Sequence, residues 1–71
     1  MEQEIAIHGE YITLGQALKE AGIIGSGGEA KPFLQEYRVL VNEEQDQRRG
    51  RKLYPGDLVE VEEAGTIRIT A

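Results

Sequence analysis

The chain has 71 residues, 39% hydrophobic and 30% charged, which suits one small globular domain near the lower size limit for a self-sufficient core and excludes a disordered tail. It has no cysteine, so disulfides and thiolate metal sites are excluded and a reducing, cytoplasmic setting fits; no apolar run could span a membrane, and the start Met1-Glu2-Gln3-Glu4 lacks the basic region of a signal peptide. The net charge of −5 hides a segregation: residues 1–30 sum to −4, residues 31–52 to +2 and residues 53–71 to −3, so a partner meets a cationic middle.

Ile5 and Ile7 alternate with Glu4, Ala6 and His8, which predicts a half-buried strand over 3–8, broken by Gly9. The period then changes. Leu14, Ala17, Leu18 and Ala21 repeat at the spacing of one helix face, with Thr13 as cap, Gln16 as its capping-box partner and Gly22 to end the helix. A second helix follows on Ala30, Phe33, Leu34 and Tyr37, with Ser26 as N-cap candidate and Glu29 three residues on. Pro32 lacks an N–H and would crowd the Gly28 carbonyl, so this helix is either kinked or starts later than Ser26.

Beyond Tyr37, Val39-Leu40-Val41 reads as a strand, Asn42-Glu43 as a turn and Glu44 to Arg49 as a polar return strand. Tyr54-Pro55-Gly56-Asp57 is turn chemistry, and Leu58–Glu62 and then 66–70 alternate as strands. The order predicts an α+β domain, two helices packed on one face of a small, mostly antiparallel β-sheet, with all of residues 1–71 in a single domain.

Catalysis finds no support in the residue pattern. His8 is the only histidine, so no metal site can be completed from His and Cys, and no nucleophile–base pair stands out. Gly25-Ser26-Gly27-Gly28-Glu29-Ala30 matches a dinucleotide fingerprint formally, but it follows a helix rather than a strand, so no cofactor is expected. It reads better as a turn between helices. The exposed N–H groups of Gly27 and Gly28, with Lys31 a turn on, could also hold a phosphate, against the charge of Glu29.

The informative motif is Arg48-Arg49-Gly50-Arg51-Lys52, which places four of eight cationic side chains within five residues. Such runs are commonly solvated loops. Here three guanidinium forks suited to phosphate stand together in an acidic chain, between strands that could present them, and Lys31 and Arg38 flank them in sequence. The pattern points to a polyanion.

The series Thr13-Leu14-Gly15-Gln16-Ala17-Leu18-Lys19, Gly22-Ile23-Ile24, Ser26 to Lys31, Val39 to Asn42, Arg48 to Leu53 and Pro55-Gly56-Asp57 resembles the RNA-binding domain first known from small-subunit ribosomal protein S-four, the alpha-L motif. It is most similar to the short stand-alone bacterial members often called YaaA-type, over about residues 12–63, with flanking strands at 3–8 and 66–70 outside the motif. The resemblance implies two helices on a small antiparallel sheet, with Val39, Val41 and Val59 in the core. It also implies binding of structured RNA, ribosomal RNA or transfer RNA, in ribosome assembly or on ribosomal particles. Carried over by position, RNA contacts fall to Ser26 and Lys31 at the second helix, to Arg38 beyond it, and to Arg48, Arg49, Arg51 and Lys52. With Tyr37 assigned to the core, Tyr54 is the one aromatic left to stack on a base. A competing class is a protein-interaction adaptor of ubiquitin-like shape, suggested by Pro55-Gly56-Asp57-Leu58-Val59-Glu60-Val61. The sequence ends Ile69-Thr70-Ala71, without the Gly-Gly tail of a sulfur carrier.

Overall fold

A computed structural model describes residues 2–71; Met1, included in the single-domain expectation, lies outside them. Seven strands and two helices run in the order β1 (Glu2–Ala6), β2 (Ile12–Thr13), α1 (Leu14–Glu20), α2 (Ala30–Glu36), β3 (Val39–Val41), β4 (Glu44–Gln45), β5 (Lys52–Leu53), β6 (Leu58–Val61) and β7 (Gly65–Thr70). The main sheet has the order β1-β7-β6-β3-β4, antiparallel throughout except where β1 pairs parallel with β7. A separate two-stranded ladder joins β2 to β5. This is the predicted α+β architecture. Neither described helix is long and apolar enough to cross a membrane.

Strand alternation decides what is buried. Ile5, Val39, Val41, Val59, Val61, Ile67 and Ile69 line the inner face of the sheet. Leu14, Ala17, Leu18, Ala30 and Leu34 of the helices complete the core, together with Ile24 between the helices and Ile12 and Leu53 from the small ladder. Burying each such aliphatic side chain contributes about 1.5–3 kcal/mol.

Local chemistry sets the helix limits. The Thr13 hydroxyl accepts from Gln16 N–H at 3.3 Å while Gln16 Oε1 accepts from Thr13 N–H at 3.1 Å, the capping box expected from the sequence. Gly22, at φ +78°, follows the Ala21 cap and closes α1 in the left-handed region. The second helix is the later-starting alternative. Gly27–Glu29 form one 3₁₀ turn with Ser26 at its N-cap, and α2 begins at Ala30. Pro32 thus falls in the first turn, where its missing N–H has no intrahelical carbonyl to lose. The Glu29 carboxylate reaches back to the N–H of Ser26 at 3.0 Å and to that of Gly25.

Three sequence expectations need correction. The polar return strand is only Glu44–Gln45, extended by one further bond from Asp46 N–H to Val39 O at 3.0 Å; past it the Asp46 carboxylate draws Arg48 into a turn and the chain leaves the sheet. The strand expected over 3–8 is Glu2–Ala6, extended by one bond from Ile7 N–H to Thr70 O at 3.0 Å. Tyr37 is half-buried rather than a core residue, and stacks on Phe33 with ring centroids 4.6 Å apart.

Candidate nucleic-acid interface

Helices expose unpaired N–H groups at their starts, and α1 finds its partners in the basic segment. Leu14 N–H donates to Arg51 O at 2.8 Å and Gly15 N–H to Arg49 O at 2.9 Å. Arg51 N–H donates to Arg48 O at 3.1 Å, which folds 48–51 into a turn. The loop backbone is therefore fastened to α1 while Arg48, Arg49 and Lys52 stay exposed. Gln47 adds a second tether, its Nε2 donating to Leu34 O of α2 at 3.3 Å.

Gly15 is where the three segments meet. A Cβ at this position would lie 3.3 Å from Ala30 Cβ and 3.4 Å from Arg49 O, so the absence of a side chain lets α2 and the basic loop close on α1. Through this contact the start of α2 at Ala30 and the Arg49 backbone both approach Gly15. Ser26, Lys31 and Arg49 are all exposed.

Asp46 organises two of the arginines. Its side chain is only 6% exposed and is bonded by two guanidinium groups. Arg48 donates to it from backbone N at 2.9 Å, Nε at 3.1 Å and Nη2 at 2.8 Å, and Arg51 from Nη1 at 2.7 Å. The Arg48 side-chain hydrogen bonds hold the Asp46 carboxyl well below the usual carboxylate range, against the opposing effect of its burial, with the Arg48 backbone N–H and Arg51 adding to the shift. The Arg48 and Arg51 side chains remain 72% and 28% exposed. One carboxylate thus fixes two guanidinium groups and cancels one of their two charges. Among the described residues, Arg49, Lys52, Lys31 and Arg38 take part in no ion pair.

The surface carries a shallow groove lined by Arg48, Gly50, Arg51, Lys52 and Tyr54. Planar, partly exposed guanidinium groups beside an ammonium offer donors to several phosphate oxygens at once. Arg38 stands apart. It lines a different groove on the outer face of the main sheet, with Leu40, Glu60, Glu62 and Glu63, and its backbone N–H donates to Glu62 Oε1 at 2.9 Å. The structure therefore groups Arg48, Arg51 and Lys52 around one groove, sets the Arg49 backbone against the start of α1, and leaves Arg38 among carboxylates. By charge alone Asp46, like Glu43 and Glu44, would weaken phosphate contact. Its spacing of two and five residues from Arg48 and Arg51 was the signal of a different role. Tyr11 was also missed as a neighbour of this surface.

Residues 5–70 match the S4 domain family. Over 69 residues, 97% of either chain, the sequence is 58% identical to the probable ribosome maturation protein RlbA of Bacillus subtilis (strain 168).

Proposed function

The chain belongs to the S4 domain family, and on that premise we propose that it is a non-enzymatic bacterial RNA-binding protein that engages ribosomal RNA in maturing ribosomal particles in the cytoplasm. The observation that carries the reading is the basic loop, bolted by two backbone hydrogen bonds to the start of α1 and set beside the start of α2. The similarity to a ribosome maturation protein supports the ribosomal setting. Residues 1–71 act as one domain. Arg48, Arg49, Arg51, Lys52 and Lys31 neutralise backbone phosphates and release counterions, Ser26 adds a neutral donor, and the shape of the two-helix face selects a helical junction or duplex end. Arg38 contributes at most from the far face.

The test is charge reversal that spares the fold. Arg48 and Arg51 hold Asp46, so the informative variant is Lys31→Glu/Arg49→Glu/Lys52→Glu. Co-sedimentation with ribosomal particles and binding of ribosomal RNA fragments should be lost in this variant while its circular dichroism matches the parent. Undiminished association would remove the proposal. Association that survives high salt in the parent chain would instead favour a protein contact.

A further inference from the structure

The ladder β2–β5 pairs Ile12 with Leu53 and Thr13 with Lys52. Ile12 and Leu53 point into the core, so their neighbours face solvent, and the next pair in the same register is Tyr11 and Tyr54. These rings are 42% and 47% exposed, the large hydrophobic side chains left open among the described residues. Their centroids lie 6.1 Å apart at a tilt of 53°, within the edge-to-face range. Lys52 Nζ sits 4.9 Å from the Tyr11 centroid, a cation–π contact. The pair forms a ridge between two grooves. On one side Tyr54 shares a groove with Arg48, Arg51 and Lys52; on the other, Tyr11 shares one with His8, Gln16 and Lys19.

Resting on the RNA-binding reading above, we propose that the Tyr11–Tyr54 ridge is a stacking platform for one unpaired nucleobase whose flanking phosphates lie on the basic loop. Exposed aromatic rings rimmed by cations match the two parts of a nucleotide, a π-face and a phosphate, in adjacent positions. The ladder holds the rings from beneath and the Tyr11 ring supports the Tyr54 ring at its side, so little ordering is needed on binding. Lys52, held over Tyr11, places an ammonium beside the stacked base. Stacking tolerates any base, so the platform detects an unpaired nucleotide beside a duplex and not a sequence.

Three RNA hairpins with identical stems test this: one with a single adenine bulge, one with an abasic site in that bulge, and one fully paired. Affinity is read by fluorescence anisotropy. Ring contact is read by intrinsic tyrosine emission, which is unobscured because the chain has three Tyr and no Trp. The parent protein should bind the adenine bulge about tenfold more tightly than the other two hairpins, with quenched tyrosine emission. Tyr11→Ala/Tyr54→Ala should bind all three alike, at the parent's affinity for the paired stem, while Tyr11→Phe/Tyr54→Phe keeps the preference. Equal, salt-sensitive binding of all three by the parent would overturn the platform and leave the RNA-binding reading intact. Loss of particle association in the alanine variant with its hairpin preference unchanged would also overturn it, assigning the ridge to a protein partner. No hairpin binding by the parent would remove both readings.

Discussion

Replacing Asp46 with Asn keeps the shape of the side chain and removes its charge. The carboxylate accepts from Arg51 at 2.7 Å and from three donors of Arg48, with its own side chain only 6% exposed. Charge-assisted hydrogen bonds of this type contribute about 1.5–3 kcal/mol when shielded. Solvent screens the 72%-exposed Arg48 and discounts its bonds, so the variant should lose about 1–2 kcal/mol at neutral pH. In a domain of this size that is a fall in Tm of roughly 5–15 °C, measured by thermal circular dichroism. The pH dependence supplies the sharper check. Asp46 titrates in the unfolded chain near 3.8 and well below that in the native state. Above the unfolded value its stabilisation is complete; as pH falls through it, the unfolded chain takes up the proton first and the stabilisation drains away. The gap between parent and Asp46→Asn should therefore be widest above about pH 5 and shrink below about pH 4. A variant as stable as the parent at pH 7, or a gap that does not change with pH, would refute the role given to this carboxylate.

Other substitutions probe the framework. Glu43 sits at φ 72° behind Asn42 at φ 51°, a two-residue hairpin turn with both residues left-handed, so Glu43→Gly should stabilise by about 0.5–1 kcal/mol in urea unfolding. Gly15→Val would press on Ala30 and the Arg49 backbone; it should cost about 1–3 kcal/mol and weaken RNA binding together, whereas an effect on stability alone would mean the loop does not depend on this contact. Glu29→Ala removes the acceptor for the Gly25 and Ser26 N–H groups and should lower stability by about 1 kcal/mol in the same assay. Leu34→Ala, in a fully enclosed position, should cost about 2–5 kcal/mol by the same measurement.

Features written in local spacing could be read before the structure. The Thr13–Gln16 capping box, the Gly22 stop and the alternating Leu58–Val61 and 66–70 segments depend on neighbours a few residues away. Pro32 marked a conflict that the sequence left open, since a kinked helix and a later start both accommodate a residue without an N–H. What escaped was long-range. Two-residue strands such as β2 and β5 carry no period, and their pairing is continuous with the bonds that join α1 to the basic loop. Without that ladder, Tyr11 could not be placed opposite Tyr54. The cationic run itself was legible as composition, but its division was not: Asp46 holds Arg48 and Arg51, Arg49 and Lys52 make no ion pair among the described residues, and strand register sends Arg38 to the other face.

The most direct measurement is the salt dependence of affinity for a ribosomal RNA fragment, plotted as log K against log salt for the parent and for Arg49→Glu/Lys52→Glu. If about four phosphates are engaged, the parent slope should be roughly −3, and removing two contacts should bring it to roughly −1.5. A parent slope near zero, or one that the double reversal leaves unchanged, would contradict the claim that this loop meets a phosphate backbone.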